Sequence, residues 1–408
     1  MAKRIGMSAA AALAAAGMTM AAVVVAPAGA GATTTSGASG RLASATGSPL
    51  SQNVLNGVSC TSTTFCMAVG DYTANPFGKG VEPYAFTWDG ASWTRHWVPR
   101  PAGIDAGYLT AVSCTSPRYC LLAGWGSSKT EDESLVYLWN GTAFTATPTP
   151  GADGIMLNAA SCSSDDSCVV AGMATTNGQA GPAYAANWNG KRWHSYSIPN
   201  PPGGSFADIY SVSCDSSRSC EAVGGYQNAR IQERPLAVSW DGHRWAPQAL
   251  PPITGLHDST LYGVSCTSGG CLAVGNYQAG TSPSVKAMAL RFDGDAWLQD
   301  NPPVHGIGGA FVGVSCTATT WCLAAGDSYP SPTSFRPTTE VLGTSGWTSD
   351  AHPVTFPGRT DNEDYVSCVS STFCMDVGQS FSNRSAVAWT LAEEWNGSTW
   401  AVTPTQNG

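Results

Sequence analysis

Residues 57–70 read Gly-Val-Ser-Cys-Thr-Ser-Thr-Thr-Phe-Cys-Met-Ala-Val-Gly, and this pattern returns six more times before residue 379. Each copy has Ser-Cys, a short polar spacer, a second Cys and a mainly apolar run that ends in Gly. The first cysteines of successive copies lie 48 to 54 residues apart, which is a period of β-propeller blades. The sequence therefore predicts an all-β, seven-bladed β-propeller with four antiparallel strands in each blade.

The fourteen cysteines form seven local pairs with none left over. Five residues separate the two members of each pair, except in the fifth pair, where four do. In an exported chain this arrangement favours disulfides, whereas zinc sites favour two-residue spacings with histidines nearby. We therefore predict one disulfide within each blade: Cys60 with Cys66, Cys114 with Cys120, Cys162 with Cys168, Cys214 with Cys220, Cys266 with Cys271, Cys316 with Cys322, and Cys368 with Cys374.

The first repeat shows how four strands fit into one blade. Apolar or alternating stretches at 54–60 and 66–72 flank a polar turn, and those at 84–88 and 93–98 flank Asp89-Gly90, a strong turn dipeptide. These stretches predict strands A, B, C and D. Blades are expected at about 54–100, 108–150, 156–200, 208–251, 260–303, 310–354 and 363–404, so that the propeller spans 53–404.

Aromatic residues recur five positions apart around the C-to-D turn, as in Trp88 and Trp93. Rings at equivalent positions in six blades are expected to fill the widening gap between blades rather than to form a sugar-binding platform. The serine before each first cysteine, such as Ser59, is expected to bond to the backbone of a neighbouring blade. Asn140 and Asn396 match a glycosylation pattern, but their positions favour a role in the hairpin turn.

The N-terminus indicates export. Lys3 and Arg4 precede an apolar stretch with small-residue cleavage options, so residues 1–32 are predicted to be a signal peptide and residues 33–52 a flexible linker. The mature chain would then be secreted, with no segment inserted in a membrane. The scarcity of lysine beside abundant Ala and Gly suggests an actinobacterial source. Without Lys3 and Arg4, 17 basic side chains face 28 acidic ones, which disfavours nucleic acid as a partner.

These repeats resemble kelch or galactose-oxidase-type propeller repeats over residues 54–404. The resemblance rests on strand B ending in Gly, an aromatic residue in strand C and a Trp that opens strand D. The chain departs from kelch repeats because a double glycine occurs only at Gly224-Gly225. A galactose-oxidase relative would need a cysteine that is free to crosslink with tyrosine, and here each cysteine has a local partner. The resemblance therefore implies the fold and disfavours copper radical chemistry.

Recognition is expected on the face that carries the long D-to-A and B-to-C loops, because the other two turns are short and uniform. The candidate ligand-binding residues assigned to these loops are Tyr72, Tyr108, Asp208, Tyr210, Tyr226, Arg230, His257, Asp258, Tyr277, His305, Arg336 and Asp361. Asp361-Asn362-Glu363-Asp364 offers oxygen ligands for calcium without a known calcium-loop spacing, so that no cofactor is expected but calcium stays open. His257-Asp258 has no nucleophile motif to serve, and no catalytic residue can be assigned.

Two functions follow from these observations. The first is a secreted, monomeric, non-enzymatic propeller that binds a glycan or an extracellular protein. The alternative is a secreted carbohydrate-active enzyme, a glycoside hydrolase or a lyase, with an axial active site that uses carboxylates or tyrosine and arginine. Each repeat contains all four of its strands, so the ring is expected to close by sheet packing; an added strand from residues 41–52 beside residues 400–404 is the other option.

Overall fold

The computed structural model describes residues 52–73, 80–128, 131–148, 151, 154–176, 179–252, 256–279, 285–303, 306–331, 334–349, 355–357, 359–382 and 387–406. The described residues form 28 β-strands and no helix. Blade 1 contains β1 (Gln52–Ser62), β2 (Phe65–Thr73), β3 (Glu82–Trp88) and β4 (Trp93–Trp97). Blade 2 contains β5 (Ala106–Ser116), β6 (Tyr119–Ser127), β7 (Asp132–Trp139) and β8 (Phe144–Ala146).

The later blades repeat the same order. Blade 3 contains β9 (Ile155–Ser164), β10 (Ser167–Thr176), β11 (Gln179–Trp188) and β12 (Trp193–Ile198); blade 4 contains β13 (Phe206–Ser216), β14 (Ser219–Gln227), β15 (Glu233–Trp240) and β16 (Trp245–Pro247). Blade 5 contains β17 (Leu256–Thr267), β18 (Gly270–Ala279), β19 (Val285–Phe292) and β20 (Trp297–Asp300). Blade 6 contains β21 (Gly308–Ala318), β22 (Trp321–Ser331), β23 (Ser334–Gly343) and β24 (Gly346–Ser349); blade 7 contains β25 (Arg359–Ser370), β26 (Phe373–Ser382), β27 (Ala388–Trp395) and β28 (Trp400–Val402).

Each blade is a four-stranded antiparallel meander in the order A, B, C, D. The two cysteines of each repeat face each other across the A-B hairpin, as Cys60 and Cys66 do, and all seven predicted disulfides are formed. The prediction of a seven-bladed β-propeller with one disulfide per blade is confirmed.

The glycine that ends each apolar run has a steric reason. A Cβ atom on Gly70 would lie 1.9 Å from the carbonyl oxygen of Val54, and one on Gly124 would lie equally close to that of Tyr108. Strand A carries a β-bulge one residue beyond this point, between Leu55 and Gly57 in blade 1. The bulge presses the strand A backbone against strand B, so that only glycine fits there.

Seven hydrophobic cores fill the seven spaces between neighbouring blades. The space between blades 7 and 1 is packed like the others, with Leu55 and Phe86 of blade 1 against Met375 and Val377 of blade 7. Buried apolar contacts of this kind are the main stabilising force between sheets that cannot bury both faces alone.

The serine that precedes each first cysteine connects neighbouring blades. Its hydroxyl accepts a hydrogen bond of 2.9–3.0 Å from the backbone N–H of the first cysteine in the next blade. The last of these bonds runs from Cys60 to Ser367 and completes the circle. The structural role predicted for these serines is confirmed.

Among the described residues, no strand is exchanged between the two ends of the ring. The single β-bridge across the closure is parallel and joins Gln52 to Ala388 of β27, and the Asn53 side-chain amide donates to the Ala388 carbonyl oxygen at 3.2 Å. Gln52 therefore meets strand C of blade 7 and not strand D. The apolar core between blades 7 and 1 agrees with closure by sheet packing, while residues 41–51, on which the option of an added strand depends, lie outside the described part of the chain.

The paired aromatic rings are structural, as predicted. The two rings of a pair lie 4.7–5.7 Å apart in six blades. Strand C tryptophans such as Trp88 donate their indole N–H to the A-to-B turn of their own blade. Strand D tryptophans such as Trp347 donate instead to the preceding blade. The rings therefore fix the outer parts of the blades to one another.

Candidate functional site

The predicted site residues lie mostly at strand ends and not in loops. Only Arg230 occupies a described connection, while Tyr72, Tyr108, Asp208, Tyr210, Tyr226, Asp258, Tyr277, Arg336 and Asp361 belong to strands. The prediction of loop positions was wrong because the A-B hairpins extend further toward this face than the apolar runs do, with pairing that reaches Gln52 with Thr73 and Arg359 with Ser382. His305 lies outside the described residues, and of His257 only its place in β17 is described.

The structure brings three of the predicted residues together between blades 4 and 5. Asp208 and Tyr210 of β13 lie near Glu233, whose backbone N–H donates to an Asp258 carboxylate oxygen at 2.9 Å. The Tyr210 ring packs against Tyr262 of blade 5, with centroids 5.6 Å apart. Tyr210 and Tyr262 occupy the bulge positions of their strands. We call these five residues, Asp208, Tyr210, Glu233, Asp258 and Tyr262, the acidic mouth.

Burial changes the acidity of the acidic mouth. Burial, with a smaller contribution from the Glu233 charge, raises the pKa of Asp208 to about 8, although hydrogen bonds from the Ile209 backbone and, at 2.9 Å, from the Asn158 amide oppose the shift. Burial also raises the pKa of Glu233, and the Asp258 charge adds to that shift. Asp208 is therefore largely protonated at neutral pH and can donate a proton, which is a property of general acids.

A second set of carboxyl groups lies between blades 6 and 7. Asp327 of blade 6 meets Asp364 of blade 7, and Asp376 and Glu393 pair across strands B and C of blade 7. Asp376 and Glu393 are fully buried, and neither Asp376 oxygen has a hydrogen-bond partner among the described residues. Burial raises the pKa of Asp327 and Asp376, with Asp364 adding to both shifts, and raises the pKa of Asp364 to about 6.

The possible calcium ligands of blade 7 are only partly engaged by the protein, because Asn362 Oδ1 and Asp364 Oδ1 have no hydrogen-bond partner among the described residues. Asp361 is buried in β25 and accepts hydrogen bonds from the Ser380 hydroxyl and from the Phe356 backbone N–H. The Asn362 amide donates to Asp364 at 3.4 Å. Within the part of the chain that the structure describes, no three histidine, cysteine or carboxylate groups converge as metal ligands do.

Blade 1 carries an exposed aromatic surface on the same face. Trp97, at the end of strand D, is 52% exposed, and its ring centroid lies 6.1 and 6.2 Å from those of Tyr72 and Tyr84 in edge-to-face arrangements. The Arg95 guanidinium lies 4.9 Å from the ring centroid. We call Tyr72, Trp97, Arg95 and the adjacent ion pair of Glu82 with Arg100, at 3.0 Å, the blade 1 surface.

Sequence reasoning included Tyr72 but missed Trp97. The available signal was positional, because Trp97 is the only aromatic residue four places after the strand D ring in any repeat. The remaining predicted residues do not converge with either group: Tyr108 stacks on Trp125 in blade 2 with centroids 4.4 Å apart, and Arg230 and Arg336 are exposed. Tyr226 and Tyr277 are half-buried at the ends of β14 and β18.

The described residues include no helix with the length and apolar character needed to cross a membrane. Neither a protein-family model nor a curated protein matches the chain. Among solved structures, the chain is similar to a PL25 polysaccharide lyase, an ulvan lyase bound to -[GlcA(1-4)Rha3S]-, with a TM-score of 0.55 and 10% identity over 88% of this chain and 97% of that one.

It is also similar to the β-propeller domain of the trilobed protease from Pyrococcus furiosus, which is described as having an open velcro topology. The TM-score is 0.53 and the identity 6%, over 88% of this chain and 97% of the other. At these identities the similarity establishes the β-propeller fold alone.

Proposed function

We propose that the chain is a secreted, monomeric binding propeller that recognises a glycan on an extracellular partner. In this proposal residues 1–32 are a signal peptide, residues 33–52 a linker and residues 53–404 the binding domain. The seven disulfides support an oxidising environment, where such bonds persist. A rigid ring crosslinked within every blade holds its surface side chains in place before a ligand arrives, which reduces the entropy lost on binding.

The exposed indole of Trp97 carries the proposal. Strand C and strand D tryptophans at the hairpins are used in packing, whereas Trp97 presents its ring to solvent. An exposed ring can pack against the apolar C–H face of a sugar, and Glu82, Arg100 and the Tyr72 hydroxyl provide acceptors and donors for its hydroxyl groups. The blade 1 surface thus offers an apolar contact for the face of a sugar ring and hydrogen-bonding groups for its hydroxyls.

A glycan array probed with the purified secreted chain tests this function. We expect binding to a defined set of glycans and a loss of about fivefold or more in affinity for Trp97→Ala, since one aromatic contact of this kind contributes on the order of 1 kcal/mol or more. Leu298→Ala is the matched control, because Leu298 is also 52% exposed on a strand D. Equal binding by both variants would contradict a role for the blade 1 surface.

The second candidate function is a carbohydrate-active enzyme, favoured by the acidic mouth. Asp208 has the raised pKa of a proton donor, and Tyr210 and Tyr262 stand beside it. Incubating the chain with the glycans it binds and analysing the products by mass spectrometry separates the two functions. Cleavage that is lost in Asp208→Asn would favour the enzyme, whereas intact glycans would favour the binding protein.

A further inference from the structure

A cleft of about 320 Å³ opens between blades 3 and 4. Asp166, Asn187, His194 and Tyr196 line it from blade 3, and Trp240 lines it from blade 4. Its volume is at the lower end of the range for small-molecule sites. The cleft lies toward the A-to-B and C-to-D turns, which is the face opposite the blade 1 surface and the acidic mouth.

Blade 3 differs from blades 4 and 5 at one position. Three residues after the strand D tryptophan, Gln248 and Asp300 accept the indole N–H of the next blade. In blade 3 this position is Tyr196, and the indole of Trp245 donates instead to Asn187 at 3.2 Å. Tyr196 stands edge-on to Trp240, with centroids 5.0 Å apart and an interplanar angle of 62°. Between blades 1 and 2, His96 packs on Trp139 in the equivalent place.

The lining combines aromatic rings with hydrogen-bond donors and acceptors. His194 Nε2 accepts hydrogen bonds from the Asn189 amide at 3.1 Å and from Arg192 Nε at 3.3 Å, so its proton is on Nδ1, where it can be donated to a ligand. The Asn187 oxygen is used by Trp245, which leaves its amide N–H groups as donors. The Asp166 carboxylate, exposed on the A-to-B turn, is an acceptor.

We propose that this cleft binds a single neutral sugar residue. The hydroxyl groups of a sugar both donate and accept, and so satisfy Asp166 and His194 together. Its C–H face would pack on Tyr196 and Trp240. A phosphate group would be repelled by Asp166, and a purely apolar ligand would leave the polar lining without partners. The proposal is independent of the blade 1 surface, which lies on another blade and another face.

Saturation-transfer NMR on the full secreted chain, with the methyl glycosides of glucose, galactose, mannose, fucose and N-acetylglucosamine as probes, tests the cleft. We expect saturation transfer to at least one probe, with affinity reduced about tenfold or more in Tyr196→Ala and in Asp166→Ala. His96→Ala, which removes the ring at the equivalent position between blades 1 and 2, should bind like the wild type. Asp166→Ala keeps the test valid if Tyr196→Ala does not fold.

Trp97→Ala separates this proposal from the proposed function. Binding that survives Trp97→Ala and falls in Tyr196→Ala or Asp166→Ala supports the cleft. Binding that is lost in Trp97→Ala and kept in both cleft variants places the sugar on the blade 1 surface and overturns the cleft proposal. The absence of saturation transfer to all five probes also overturns it, and leaves the glycan array as the separate measure of the proposed function.

Discussion

The backbone N–H of Cys60 donates a hydrogen bond of 2.9 Å to the hydroxyl of Ser367, which joins the first blade to the last. The same bond occurs between every other pair of neighbours, for example from Cys266 to Ser213. The contact between blades 7 and 1 therefore uses the same hydrogen bond as the contacts between the other neighbouring blades. Apart from one β-bridge at Gln52, no strand pairing across it is seen among the described residues.

Ser367→Ala should consequently cost as much stability as Ser213→Ala. Each substitution leaves the N–H of a half-buried cysteine without its acceptor, which costs about 1–2 kcal/mol. Urea unfolding of both variants measures the two losses. A cost at Ser213 with none at Ser367 would mean that the hydrogen bond between Cys60 and Ser367 is not formed in solution and that packing alone holds blades 7 and 1 together.

Each disulfide is expected to stabilise its own hairpin. The bonds link cross-strand partners and close loops of six or seven residues, for which the chain-entropy model gives roughly 2 kcal/mol. Replacing Cys60 and Cys66 together by Ala should lower the free energy of unfolding by about that amount in urea titrations. A loss below about 0.5 kcal/mol would contradict the entropic account.

The fold could be predicted from the sequence because the repeat encodes it locally. Cys60 and Cys66 form a disulfide, and Gly70 lies so close to the strand A backbone that no Cβ atom fits there. Residues with such specific roles indicate the local structure directly. Seven copies at a nearly constant spacing then indicate a ring of seven blades. The strand ends were less predictable, because pairing beyond residues 54 and 72 depends on backbone bonds that have no side-chain pattern.

The candidate sites were harder to predict because they combine residues from different blades. Asp327 and Asp364 belong to different blades, and only the docking of blade 7 on blade 6 brings their charges together. The cleft at Tyr196 depends on which acceptor the Trp245 indole finds. Which neighbouring side chain accepts a hydrogen bond depends on how the blades pack, and the periodicity of the sequence does not predict it.

The buried carboxyl groups between blades 6 and 7 should make stability fall as pH rises. Burial and the charges of Asp364 and Glu393 raise the pKa of Asp376 above the value of about 4 that aspartate has in an unfolded chain. Between these two pKa values the folded chain binds more protons than the unfolded chain, so its stability decreases with increasing pH. Each unit of difference contributes about 1.4 kcal/mol.

Asp376→Asn removes that ionisation while keeping the shape of the neutral side chain. We expect the variant to be more stable than the wild type at pH 8 and to show a flatter dependence of unfolding free energy on pH between 5 and 9. Asp89→Asn is the control, because Asp89 is exposed in a turn where Asn140 makes the same backbone bonds in blade 2. The Asp89→Asn control should show the same pH dependence as the wild type. If the Asp376→Asn curve were also parallel to the wild-type curve, ionisation of Asp376 would not cause the pH dependence.

The indole N–H of Trp193 is buried without a hydrogen-bond partner among the described residues, unlike that of Trp297, which donates to Gln248. Blade 2 already has Phe144 at this position, so a phenylalanine ring fits the same place in the hairpin. Trp193→Phe removes an unsatisfied donor, whereas Trp297→Phe removes a bond and leaves the Gln248 oxygen unpaired. Trp193 is half-buried and Trp297 is buried, so the difference between their unfolding free energies contains the hydrogen bond together with the difference in buried ring area. We expect Trp297→Phe to be less stable than Trp193→Phe by about 1–3 kcal/mol in urea titrations; equal losses would show that the Trp193 donor finds a partner in solution, such as a water molecule.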